Sequence, residues 1–242
     1  MSEITAQISS TINGLTQEFG IITHNLANVS TAGYKRRCNT FSKCLVAQGA
    51  WTNADGGEAD LQTTFDFSQG SLNKTDRSLD FALCGKGFFV IETPQGPLYT
   101  RNGMFRLDQS GQIVDTAGRI VAGQSGPITV PPNVELSQIS VSNDGNISAA
   151  GVSIGKFRLV DFKDNESELI AAGFNCFQVP EGVEPEPAEN LIVKQGFQES
   201  SNVQLVEELV DMIMVCRLYE ANMKFMSVSK DNSESLMSVA MG

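Results

Sequence analysis

The residues able to perform chemistry are few. His24 is the single histidine in 242 residues, so only one imidazole base exists and no multi-histidine metal site can form. Gly151-Val152-Ser153-Ile154-Gly155 has G-x-S-x-G spacing, but a Ser–His–Asp triad also needs an exposed nucleophile elbow and an oriented acid beside its histidine. A surface or interface position suits His24 best. Glu207 and Glu208 are adjacent, and helix neighbours one apart diverge instead of converging on a substrate. Gly85-Lys86-Gly87 lacks the G-x-x-x-x-G-K-[ST] spacing of a phosphate loop and reads as a turn. Cys38, Cys44, Cys84, Cys176 and Cys216 are scattered with no C-x-x-C pair, which favours free, partly buried thiols over zinc or redox chemistry. Aromatic residues make up 7% of the chain, with one Trp, so a large aromatic ligand pocket is not expected. No catalytic residue, metal, cofactor or small-molecule substrate is expected.

The chain carries 17 Lys+Arg against 28 Asp+Glu, a formal net charge of −11. Nucleic-acid binding needs a basic footprint, and docking on anionic lipid needs one too, so neither partner is expected. Lys35-Arg36-Arg37 is a short cationic patch that reads as a solvated turn or a contact to acidic neighbours. Met212 to Cys216, the longest unbroken apolar stretch, is far too short to insert across a membrane. Met1 to Ile12 has neither the cationic start nor the apolar run of a cleaved signal peptide.

The elements that must position these residues fall into three zones. Ile4, Ile8, Ile12, Leu15, Phe19, Ile22, Leu26 and Val29 step by 3 and 4, the period of an α-helix, until Asn28, Ser30, Thr31 and Gly33 stop it. Leu205, Leu209, Met212, Cys216, Tyr219, Met223 and Met226 repeat the pattern as a heptad seam, widened by Val206, Val210 and Ile213. Met212, Met214, Met223 and Met226 read as adaptable seam filler. Ser201 and Gln204 have capping-box spacing, and the pattern weakens past Lys230 towards Leu236 and Val239.

Between the helices, turn signals at Pro94-Gln95-Gly96, Asn102-Gly103, Ser110-Gly111, Ala117-Gly118 and Asn143-Asp144-Gly145 separate short runs. Those runs are Phe88–Ile91, Phe105–Leu107, Ile113–Val114, Ile128–Val130, Ile139–Val141 and Phe157–Phe162, the pattern of a β sandwich or open barrel. Pro180 to Glu189 reads as a surface loop. Lys43 to Thr64, which includes Trp51, reads as extended or mobile.

The predicted organisation is a helical segment over 1–33, an extended linker over 34–67, a central β domain over 68–198 and a second helical segment over 199–242. The fold class is a mainly β central domain whose N- and C-terminal α-helices form a coiled-coil-like arm, an α+β chain in two parts. Ser9, Ser10, Thr11, Asn13 and Gly14 lower helix propensity, so the first helix needs packing partners. The two seams can pair with each other or with neighbouring copies.

Five segments, in order, resemble the bacterial flagellar rod and hook proteins. The first is Asn25-Leu26-Ala27-Asn28-Val29-Ser30-Thr31-Ala32-Gly33-Tyr34-Lys35. The second is Leu79-Asp80-Phe81-Ala82 with Gly85-Lys86-Gly87-Phe88-Phe89, and the third Tyr99-Thr100-Arg101-Asn102-Gly103. The fourth is Gln195-Gly196-Phe197 with Glu199-Ser200-Ser201-Asn202-Val203 and Glu207-Glu208-Leu209. The fifth is Arg217-Leu218-Tyr219-Glu220-Ala221-Asn222.

The resemblance implies an axial structural subunit and not an enzyme, with the terminal helices forming an inner coiled-coil tube around a central channel. The implied assembly interface is Ile4, Ile8, Ile12, Leu15, Phe19, Ile22 and Leu26 on the first helix, and Leu205, Leu209, Met212, Tyr219, Met223 and Met226 on the second. The implied partners are copies of this chain, other rod and hook subunits, and the flagellar type III export apparatus. The implied location is the periplasm-spanning rod of the basal body, reached from the cytoplasm without signal cleavage. At 242 residues the chain is short for a hook protein. Gly126–Pro131 and Ser142–Ser148 look most similar to the proximal-rod members. A distal rod or hook-type subunit is the alternative within the family, and a secreted β-rich adhesin with helical arms the alternative outside it. The start Met1-Ser2-Glu3-Ile4 and the five cysteines depart from the usual family pattern.

Overall fold

The computed structural model describes residues 2–39, 63–180 and 182–241. Most of the segment expected to be extended, Lys43 to Thr64 with Cys44 and Trp51, lies outside the described residues. The described chain is mainly β with one helix near each end. It divides into two compact units. One comprises residues 2–27, 37–39 and 204–241, and the other residues 28–36, 63–180 and 182–203.

The first unit is helical. Helix α1 spans Ser2–Ala27 and helix α2 spans Leu205–Met241, and the two lie against each other. In α1 the hydroxyls of Thr11, Thr16 and Thr23 turn back to carbonyls four residues earlier (Gln7, Ile12 and Phe19), so these polar residues are satisfied on their own helix. The start of α2 differs from the capping box expected at Ser201 and Gln204. The Ser201 hydroxyl instead accepts from the Val203 amide at 3.2 Å, and the helix begins only at Leu205. Gln204 therefore precedes the first turn and cannot act as its third residue; its carbonyl accepts from the Glu208 amide.

The second unit is built from antiparallel strands. Its largest sheet runs in the order Ile170–Gly173, Cys176–Gln178, Gly96–Thr100, Phe88–Thr93, Ile120–Gly123, Ile113–Val114 and Arg106–Leu107, with further short strands attached. Strand Phe88–Thr93 is buried on both faces, which explains its unbroken apolar run. Phe89 and Ile91 enter one core, where Phe81, Phe89, Phe105 and Phe157 meet edge-on or tilted. Phe88 and Val90 enter a second core with Phe65, Tyr99, Phe162 and Phe177. Nine of the aromatic side chains thus pack these two cores, four in the first and five in the second.

Three hairpin loops share one construction. Asp108, Asp115 and Ser142 each accept at their carbonyl from the glycine three residues on (Gly111, Gly118 and Gly145). Each also donates its amide to the carbonyl four residues on (Gln112, Arg119 and Asn146). The three glycines have φ of +77°, +84° and +82°, the left-handed position such loops reserve for glycine. Asp108 closes its loop further by accepting from the Gln112 and Ser110 amides and the Ser110 hydroxyl. The Gln112 amide, above all, holds the Asp108 carboxyl below its ordinary value. The sign follows: this contribution to stability is full above an unfolded value of about 3.8 and is lost as pH falls through the lower folded value. An NMR titration of the Asp108 carboxyl should give a midpoint below that value; a midpoint at or above it would contradict the loop's role.

Three expectations for the β zone change. Asn102-Gly103 is no hairpin turn, because segments 79–81 and 103–105 run side by side with Phe81 N–H donating to Gly103 O at 2.9 Å. Ile128–Val130 forms no ladder; Ile128 and Val130 are buried, and a single bridge joins Thr129 to Gln112. Within Pro180 to Glu189, Glu186–Pro187 pairs with Leu159–Asp161.

Candidate assembly faces and the motif clusters

The motif residues of the helical unit gather where α1 ends and α2 begins. Asn25 is fully buried. Its side chain donates to Arg37 O and accepts from Arg37 N–H, both at 2.9 Å, so it reads both polar groups of one residue. The same Nδ2 lies 3.3 Å from each carboxylate oxygen of Glu208, which is also fully buried. Glu207 is exposed, as the divergence of adjacent helix residues requires. His24, next to Asn25, is half-buried; burial and then the Arg37 charge lower its pKa. Leu26 and Asn28 are half-buried and Ala27 is exposed.

The expected seam divides sharply. On α1, Ile22 is buried, Ile8, Ile12, Leu15 and Leu26 are half-buried, and Phe19 is exposed. The backbone of Ile4 lies within α1. On α2 the buried and half-buried positions among those described are Glu208, Asp211, Met212, Val215, Asn222, Met226 and Ser229. That stripe mixes polar Glu208, Asp211 and Asn222 with apolar Met212, Val215 and Met226. Leu205, Leu209, Tyr219 and Met223 stay 40–49% exposed. Val206, Val210, Ile213, Met214, Leu218, Phe225 and Val228 are exposed as well, on the remaining faces. Cys216 is exposed with a free thiol, whereas Cys38 and Cys176 are buried and Cys84 is intermediate. Helix α2 therefore exposes a large amount of apolar surface, interspersed with exposed Glu207, Arg217, Glu220 and Lys224, among the described residues. Motif residues Tyr219 and Glu220 lie on this uncovered surface.

In the β unit the other motifs converge on a buried charge cluster. Lys35 Nζ lies 2.7 Å from Glu199 Oε1 and donates to Ser68 O at 2.7 Å; both charged side chains are fully buried. The Gly70 amide donates to the same Glu199 oxygen at 3.1 Å. Arg101 Nη1 donates to Gly85 O at 2.7 Å and lies 3.7 Å from Glu199 Oε2. Burial pulls the Lys35 and Arg101 pKa values down, and the Glu199 charge opposes it in both. Lys35 is thus an internal counter-ion and not the solvated patch its neighbours Arg36 and Arg37 suggested. Three consecutive basic residues look alike in sequence, and the deciding partner lies 164 positions away.

Backbone contacts complete the cluster. Glu199 O accepts from Gly33 N–H at 2.7 Å. Asn202 accepts from Arg36 N–H at 2.7 Å and donates to Asp66 O at 2.8 Å. A Cβ on Gly33 would lie 2.5 Å from Asn102 N and 2.7 Å from Arg101 C. Gly196, at φ +75°, turns its carbonyl to the Thr75 and Asp76 amides. Gly87, at φ +137°, packs closely on Leu191 and Val160. Phe88 and Phe89 are the core residues already described. Segments 28–36 and 197–203 are thereby clamped side by side on the β body. Glu199 and Glu208, central to the two clusters, carried no sequence signal beyond their place in the motifs. A buried carboxylate is visible in sequence only when its distant cation is known.

The two clusters hold the chain in shape. Comparisons with known proteins identify its family. Residues 82–149 match the flagellar hook protein FlgE/F/G D1 domain, and residues 194–239 match the flagellar basal body rod FlgEFG protein C-terminal segment. The flagellar basal-body rod protein FlgG of Buchnera aphidicola subsp. Schizaphis graminum is 35% identical over 243 residues, covering 89% of this chain and 91% of that protein. The basal-body rod protein FlgF of Caulobacter vibrioides is 32% identical over 227 residues, covering 91% of each chain. FlgF of Salmonella typhimurium is 31% identical over 226 residues, covering 86% of each. The chain belongs to the flagellar basal-body rod protein family, as a structural subunit of the rod and not an enzyme.

Proposed function

We propose that this subunit polymerises through α1 and α2 into a coiled-coil-like inner layer around the axial channel. The observation that supports this most is the surface of α2. Among the described residues the chain leaves Leu205, Val206, Leu209, Val210, Ile213, Met214, Leu218, Tyr219, Met223, Phe225 and Val228 exposed, and so much uncovered apolar surface on one helix suits a partner surface. Neighbouring copies, and other rod and hook subunits, supply the missing cover. Contacts between different patches of successive copies build an open helix, which spreads torque over many small interfaces. The subunit leaves the cytoplasm through the flagellar type III export apparatus without signal cleavage. Marginal helix propensity in α1 suits passage through a narrow gate.

The test is Leu209→Asp. Leu209 is exposed in the free chain, so the β unit should keep its wild-type melting midpoint. Polymerisation should fall by roughly a hundredfold or more, because a charge would be buried unpaired at each contact. Sedimentation and swimming read the two outcomes. A variant that still builds working rods would remove the basis of the proposal.

A further inference from the structure

Helix α2 meets α1 with its less apolar stripe. Glu208, Val215 and Asn222, seven residues apart, are the positions that the helical unit buries or half-buries. Leu209, Cys216 and Met223 follow them one by one in sequence and stay exposed. One residue of α-helix is a turn of about 100°, so that turn alone would exchange the two stripes. On α1 the covered side is apolar, with Ile22 buried and Ile8, Ile12, Leu15 and Leu26 half-buried. Burial of apolar area by itself favours Leu209, Cys216 and Met223 against such a face. The helix is nevertheless held in the other orientation.

The contact that selects this orientation is polar. Asn25 is fixed first: its Oδ1 accepts from Arg37 N–H and its Nδ2 donates to Arg37 O, both at 2.9 Å. These two bonds set which end of the amide points where. The second hydrogen of Nδ2 is left for Glu208, whose two carboxylate oxygens each lie 3.3 Å away. Asn25 and Glu208 are both fully buried. Turning α2 by one residue would bring Leu209 to the amide and carry the carboxylate away from it. Apolar contacts have no direction and tolerate such a turn, whereas a donor and its acceptor do not. Buried polar contacts between helices fix register in coiled coils by the same asymmetry.

We infer that Asn25 and Glu208 form a rotational key. They turn α2 so that the mixed stripe is spent on α1 and Leu209, Cys216 and Met223 are kept outward. Both are positioning residues, acting through the orientation of the helix. The use of the outward stripe rests on the polymer proposed above, while the key itself belongs to the free chain.

Maleimide labelling of Cys216 in the free full-length chain reads the orientation, and buried Cys38 reports any loosening of the helical unit. Glu208→Ala removes the acceptor and adds no apolar bulk to its stripe. Cys216 should then turn towards α1 and label at least about fivefold more slowly, while Cys38 stays slow. Glu208→Gln keeps an acceptor oxygen for Asn25 and should label like wild type. A merely stabilising role for Glu208 predicts the opposite sign, since loosened helices expose thiols. Cys216 labelling that is unchanged or faster in Glu208→Ala, with or without release of Cys38, would overturn the key. Equal slowing in Glu208→Gln would overturn it as well, because the bond to Asn25 would then not be what orients the helix. These results concern the free chain alone, and Leu209→Asp decides the polymer separately.

Discussion

Replacing Gly103 with alanine should lower the melting midpoint of the β unit by roughly 8–16 °C, an effect of about 4 kcal/mol in a body of this size. The reason is a close approach of backbones. A Cβ at Gly103 would lie 1.9 Å from Phe81 O, 2.8 Å from Phe81 C and 3.1 Å from the Phe89 ring. The first two atoms are backbone and cannot swing aside. Segments 79–81 and 103–105 would have to separate, breaking the Phe81–Gly103 and Phe105–Leu79 hydrogen bonds at 2.9 and 3.0 Å. Separation would also open the core in which Phe81, Phe89 and Phe105 meet. Gly96→Ala is the contrasting control for crowding, since no atom lies within 4 Å of a Cβ there and only its φ of +125° adds strain. Thermal melting followed by circular dichroism measures both. A Gly103→Ala midpoint within a degree or two of wild type would show that the strands can part freely.

Glu199→Ala should cost about 3–5 kcal/mol, because it strands two buried cations at once. Lys35 loses its 2.7 Å partner and keeps only Ser68 O, and the Gly70 amide loses its acceptor. Arg101 keeps Gly85 O but loses the carboxylate 3.7 Å away. The cost belongs to the unpaired charges more than to any net gain from the cluster. A cycle separates the two: Lys35→Met should cost clearly less in the Glu199→Ala background than in wild type. Equal costs in both backgrounds, measured by urea unfolding, would mean that the side chains act independently.

Sequence carried the periodic features well and the long-range ones poorly. Spacing placed α1 and α2 because helical period is local, and Gly111, Gly118 and Gly145 marked their loops because left-handed backbone favours glycine. The same cue misled at Asn102-Gly103. Glycine there makes room for Phe81 O, and local sequence does not separate that need from a turn. Lys35 and Arg36 are adjacent and basic, and only a carboxylate 164 residues on makes Lys35 internal. The seam of α2 shows a further limit. Period fixes which residues share a face but not what covers it, and a helix with apolar residues on several sides offers more than one stripe. The chain covers the stripe of Glu208, Val215 and Asn222, leaving Leu205, Leu209 and Met223 outward. The five family segments hold two buried clusters and one open face, so their order along the chain was a guide to membership and not to position.

The claim that this open face is closed by neighbouring subunits has a direct chemical reporter in Cys216. Its thiol is exposed and free on α2, while those of Cys38 and Cys176 are buried. Alkylation by a maleimide, read peptide by peptide with mass spectrometry, compares the free full-length chain with isolated basal bodies. Cys216 should react readily in the free chain and at least about tenfold more slowly in the rod, since thiol reactivity requires access. Cys38 and Cys176 should stay slow in both. Equal labelling of Cys216 in free chain and rod would contradict the account, because the apolar surface of α2 would then remain open to water in the assembled shaft.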